Sequence, residues 1–210
     1  MLTRSASHLP LNFELETKAI LKKTAAARSV LAEMKGAALS IPNESILIST
    51  LSLQEAKDSS AIENIITTHD ELYQGDYLKK EFKSIASKEV HNYAAALRWG
   101  FETVRQQGFL TNNHIIQMQA TLEENDAGFR KVPGTELKNE QTGEIVYTPP
   151  QASDEVVAFM NNLEQFINDN ALSDWDPLVK MAIIHHQFES THPFMTETAE
   201  RAGLSTFCIW

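Results

Sequence analysis

The apolar positions of this 210-residue chain recur at intervals of three and four through most of its length, the spacing that lines one face of an α-helix. From Leu11 to Leu39 the set Leu15, Ala19, Ile20, Ala26, Ala27, Val30, Leu31 and Met34 predicts a long amphipathic helix, stopped by Gly36 and the Ser40-Ile41-Pro42-Asn43 break. A second set, Ile46, Leu47, Thr50, Leu51, Leu53 and Ala56, predicts a helix running from Glu44 towards Asp58. Val90, Tyr93, Ala94, Leu97 and Phe101 share one side of a helix over Glu89 to Phe101, the Gln106-Gln107-Gly108 turn ends the stretch that follows, and Thr111-Asn112-Asn113 opens another helix through Leu122. Ser153 to Asn168 reads as a helix capped by Ser153, with Asp154 and Glu155 in its first turn. Asp176 supplies an N-cap and Pro177 the first position of a last, buried helix that delivers His192 at its C-terminal end.

The helical spacing gives way in one place. Glu144-Ile145-Val146-Tyr147-Thr148-Pro149-Pro150 has strand character after the turn residues Asn139 to Gly143, and Glu136-Leu137-Lys138 is its partner. The expected fold is therefore all-α with one short β-hairpin. A polar connection from Gly75 to Ser87 separates an N-terminal helical region, 1–88, from a core, 89–194, and residues 195–210 form a tail of different character.

Composition narrows the function. Apolar residues make up 42% of the chain, yet no run approaches the length of a membrane span, and the stretch Met1 to Pro10 lacks the apolar core of a secretory signal. A soluble, cytoplasmic protein without membrane partners is the expectation. The net charge of −10 disfavours nucleic acid, whose phosphates need clustered Lys and Arg. One cysteine, Cys208, leaves no disulfide framework and no thiolate metal cluster. His69, Asp70 and Glu71 are neighbours in sequence and do not face one another on a helix, so they read as a solvated or capping cluster and no metal site is expected.

The chemistry converges on His192. A histidine has an unperturbed pKa near working pH, and a helix end fixes its direction, which makes it a candidate base. Its setting, His185-His186-Gln187-Phe188-Glu189-Ser190-Thr191-His192-Pro193-Phe194, resembles the start of the Fic family signature, His-Pro-Phe-x-Asp/Glu-Gly-Asn-Gly-Arg-x-x-Arg. Upstream, Ser59, Glu63 and Asn64 fit that family's inhibitory motif, Ser/Thr-x-x-x-Glu-Gly/Asn, against the plainer reading of a capped, half-buried helix. The strand Ile145, Val146, Tyr147 and Thr148 resembles the family's flap, which holds a target segment by strand addition.

The signature stops at Phe194, and the chain continues Met195-Thr196-Glu197-Thr198-Ala199-Glu200-Arg201-Ala202-Gly203-Leu204. Read one base earlier, the codons for these residues permit Tyr-Asp-Gly-Asn-Gly-Arg-Thr-Gly-Arg-Ile, the missing half of the signature in order. The sequence is thus read as a Fic protein frameshifted after Phe194 and C-terminally truncated, with an aberrant tail that forms a makeshift helix or is disordered.

The resemblance implies transfer of AMP from ATP to a hydroxyl side chain of a target protein, with His192 as base, Pro193 and Phe194 as its support, and an acid holding Mg²⁺. It also implies autoinhibition by Glu63 through the second arginine of the signature. In this chain Thr196 stands in the acid's place, Thr198 and Ala199 replace the Asn-Gly centre, and Gly203 replaces that arginine. Losing one preorganised donor typically costs about 10² to 10³ in rate, so ATP and Mg²⁺ are expected to bind weakly or not at all, and transfer to be absent. Two other readings stay open: a non-catalytic protein-binding module or homodimer, and an enzyme that removes AMP or moves another phosphate-containing group.

Overall fold

The computed structural model describes residues 6–41, 44–62, 66–68, 70, 84–139 and 141–195, with the backbone alone at 44–49, 59 and 62. Among the described residues the chain forms α1 (Lys18–Ala38), α2 (Glu44–Ile62), α3 (Ile85–Gln107), α4 (Asn112–Glu123), β1 (Leu137–Lys138), β2 (Ile145–Tyr147), α5 (Ser153–Asn168), a single 3-10 turn (Asn170–Leu172) and α6 (Pro177–Thr191). The fold is all-α with one antiparallel hairpin, β1 against β2, as the periodicities require. No helix among the described residues is long and apolar enough to cross a membrane.

The helices pack in sequence order, α2 on α3, α3 on α4, α4 on α5 and α5 on α6. Val90, Tyr93, Ala94 and Ala96 of α3 meet Ile115, Met118 and Leu122 of α4, and Met160, Leu163 and Phe166 of α5 meet Ile184 and Phe188 of α6 in one continuous core. Burying such side chains contributes roughly 1.5 to 3 kcal/mol each. Close approach of α3 and α4 depends on Gly100, where an added Cβ would collide with the Met118 thioether. The same approach turns Phe101, expected on the buried side, outward to 50% exposure, because it lies about 100° around the helix from Gly100. α3 is also longer at both ends than the expected segment; Ser84 caps it and Gly108, at φ 78°, closes it.

Two asparagines on α5 act as backbone clamps. Asn162 accepts from Leu9 N at 2.7 Å and donates to Leu9 O at 2.8 Å, and Asn168 makes the same pair of bonds with Leu110. The first clamp, with His8 stacked on Phe159, holds the non-helical residues 8–10 against α5, and α1 does not begin at Leu11. It starts at Lys18, where the Thr17 hydroxyl accepts from Ile20 N. The apolar face expected of α1 exists in sequence but is not buried: Ile20, Leu21, Val30, Leu31 and Met34 are exposed, and Thr24 is its buried residue.

Caps explain two further boundaries. Asp176 accepts from Leu178 N at 2.9 Å with Pro177 in the first turn, as expected. Ser153, expected to cap α5, is instead its first helical residue: Val156 N bonds to Ala152 O, which places Ala152 at the cap with no side chain to offer.

Candidate functional site

α6 ends in a left-handed turn. His192 has φ 47° and ψ 64°, its N–H returns to Phe188 O at 3.0 Å, and the proline that follows cannot continue the helix. A side chain at such a position leaves the helix axis in a direction set by the turn. Pro193 and Phe194 then fold back into the body, where the Phe194 ring packs 5.4 Å from Phe129 and 6.3 Å from Phe188. Thr191, His192, Pro193 and Phe194 are all buried, with His192 at 6% exposure.

The loop is held by a residue that sequence patterns did not mark. Arg130, buried at 3%, donates from Nε to His192 O at 2.7 Å and from Nη2 to Thr191 O at 3.3 Å and to Pro150 O, while its own N–H donates to Pro193 O at 2.7 Å. The last two carbonyls of a helix end carry partial negative charge, which favours a cation there. Burial lowers the Arg130 pKa, partly offset by Tyr147; a guanidinium remains charged regardless.

The hairpin lies against the same turn. Tyr147 OH donates to Ser190 O at 2.7 Å, and burial raises its pKa against the opposing effects of that bond and of Arg130, so the phenol stays protonated. Gln151 donates to Pro149 O and Thr135 O and accepts from Gly134 N, fastening the exit of β2. β2 pairs with β1 through Leu137 to Tyr147 and Lys138 to Ile145 with a bulge between. Ile145, Val146 and Thr148 remain exposed, Val146 at 71%.

His192 itself is electrostatically tuned. Burial, and after it the neighbouring Arg130 cation, hold its pKa below the ordinary value. At neutral pH the ring is therefore uncharged and can accept a proton.

The structure thus brings His192, Pro193, Phe194, Tyr147 and Thr148 into one region and adds Arg130. Glu63 and Asn64 of the inhibitory motif, the side chain of Ser59, and the tail from Thr196 lie outside the described residues. Among the described residues no three His, Cys, Asp or Glu side chains gather closely enough to hold a metal ion.

A helical body thus presents a buried His-Pro-Phe turn at a helix end beside a two-stranded hairpin. The Fic/DOC family N-terminal model matches residues 21–102, and the Fic/DOC family model matches residues 109–196, which include the hairpin and the histidine turn. The chain belongs to the Fic family. Its fold is similar to that of a Fic family protein from Desulfovibrio desulfuricans G20, at a TM-score of 0.64 and 20% identity, over 93% of this chain and 58% of that one. It is also similar to residues 134–508 of Fic-1 from C. elegans, at a TM-score of 0.66 and 17% identity over 92% and 58%. A Fic domain containing signaling protein from Bacteroides thetaiotaomicron VPI-5482 gives 0.60 and 17% over 76% and 62%. The chain spans less than two thirds of the length of each.

Proposed function

We propose that this chain carries the base and the target-holding flap of a protein AMP transferase, and that as it stands it does not complete the transfer. One observation carries the reading: a neutral, buried imidazole held in a fixed turn at the end of α6, next to a strand with an exposed apolar edge. His192 is placed to take the proton of a target hydroxyl held against its ring. Ile145 and Val146 hold the target segment by strand pairing, so the hydroxyl arrives next to the ring.

The residues present do not fit ATP and Mg²⁺. Thr196 stands where the family signature has its metal-holding acid, and Thr198 and Ala199 replace the Asn-Gly centre of its anion nest. No step is therefore assigned to the nucleotide in this chain. Glu63 keeps its place in the inhibitory motif, but the arginine it would pair with is replaced by Gly203.

The test is incorporation of labelled AMP by five proteins. The unaltered chain and its Glu63→Gly variant are expected at background. A chain with one base restored after the Phe194 codon, together with the sequence that then follows, is expected to bind ATP and label weakly. Adding Glu63→Gly to the repaired chain is expected to raise labelling strongly, and His192→Ala in that background to abolish it. Equal labelling by the unrepaired and repaired Glu63→Gly proteins would sink the reading.

A second reading, protein binding without transfer, is favoured by the completeness of the flap and its fastenings within residues 130–194. Pull-down of a target by the unaltered chain, lost on Val146→Pro and indifferent to ATP, is its expected signature.

A further inference from the structure

We infer that Arg130 is a positioning residue that joins the flap to the His192 turn as one unit, setting where a bound target segment stands relative to the base. The inference rests on the proposed use of the flap and the histidine. An arginine that merely closes a helix end bonds to the last carbonyls of that helix. Arg130 does this at Thr191 and His192, but the same guanidinium also reaches Pro150 O at the flap exit, and its backbone N–H takes Pro193 O. One residue therefore touches three consecutive residues of the turn and one of the flap.

A second fastening runs parallel to the first. Tyr147 in β2 bonds to Ser190 O, one residue before the carbonyls that Arg130 holds. Between the two ties, at Tyr147 and Pro150, lie Thr148 and Pro149, and the consecutive prolines 149 and 150 fix φ along that stretch. Pro149 is itself buried. The segment from Tyr147 to Pro150 thus has little freedom to change its length, and the strand edge at Ile145 and Val146 is carried by it. Among the described residues Arg130 has no carboxylate partner, and its charge is met by oriented carbonyls. Burying a cation in that way is costly unless its hydrogen bonds are made, which ties the retention of the charge to the junction it forms.

Amide exchange and ring titration in the full chain test the role without nucleotide. Arg130→Met removes all three guanidinium bonds and is expected to speed exchange at Ile145, Tyr147 and Phe194 by at least about tenfold relative to Met160 and Leu163 in α5, which is the worth of one charge-assisted bond alone. It is also expected to move the His192 titration, read by NMR of the ring, up towards the ordinary value. Arg130→Lys keeps the charge but not the fork, so the His192 titration is expected to stay low while flap exchange still rises. If Arg130→Met does not fold, Tyr147→Phe and Arg130→Lys carry the test: both must loosen the flap ahead of α5. Exchange that rises equally in α5, or a flap unaffected by Arg130→Lys and Tyr147→Phe, overturns the inference. The functional reading fails separately, on absence of AMP labelling by the repaired chain.

Discussion

At the scale of single residues, the histidine turn gives a pH signature. In the unfolded chain His192 titrates near its ordinary 6.5, and in the folded chain burial, then Arg130, lower it. Between the two values the unfolded state binds a proton that the folded state does not, so stability rises with pH through that window and is lost as pH falls below about 6.5. His192→Asn keeps a residue suited to the left-handed turn and removes the titration. Urea midpoints taken from about pH 7 to about pH 5 are expected to fall more steeply for the parent than for the variant; parallel curves would contradict the burial argument. His192, Pro193, Phe194 and Tyr147 were legible in the sequence because each is a particular side chain at a particular spacing. Arg130 was not, because its partners are the main-chain oxygens of residues 150, 191 and 192, which any sequence supplies.

Among elements, the ends of α5 and α6 make opposite cases. Asp176 both caps α6 and pairs with Arg28 at 2.6 Å, but Arg28 is 57% exposed. Asp176→Ala is expected to cost about 1 kcal/mol through the lost cap. Asp176→Asn, which retains a capping oxygen, should cost no more than about 0.5 kcal/mol, the worth of an exposed ion pair; equal losses in thermal denaturation would give the ion pair the larger part. α5 begins without a side-chain cap, so Ala152→Ser is expected to stabilise by about 0.5 to 1 kcal/mol. A raised melting temperature checks it. The sequence pointed to Ser153 for this cap because a serine before two acids is the usual arrangement. The chain turns into the helix one residue sooner, and a shift that small leaves no mark on apolar spacing. The hairpin was legible for another reason: a run of the strand-favouring residues Ile145, Val146 and Tyr147 follows the turn residues Asn139 to Gly143.

For the whole molecule, apolar spacing told where helices form but not which of them are buried. α1 has the period and lacks the burial, and its link to the body includes the Arg28 pair and Glu16, which accepts from Asp176 N. Val30→Lys with Met34→Lys is therefore expected to change unfolding free energy by less than about 0.5 kcal/mol, whereas Phe188→Ala should cost about 3 to 5 kcal/mol. Denaturant titration of the two proteins separates a surface face from a core. The clamp between Asn162 and Leu9 also bears on how the chain is made. It joins positions 153 residues apart, so during synthesis Leu9 leaves the ribosome long before the helix that receives it exists. At about 5 to 20 residues per second, the arm waits about 8 to 30 seconds without its partner. Docking of residues 8–10 is thus a closing event of biosynthesis: nascent chains arrested before Asn162 should yield the N-terminal arm to a protease, and chains arrested well beyond it should protect it.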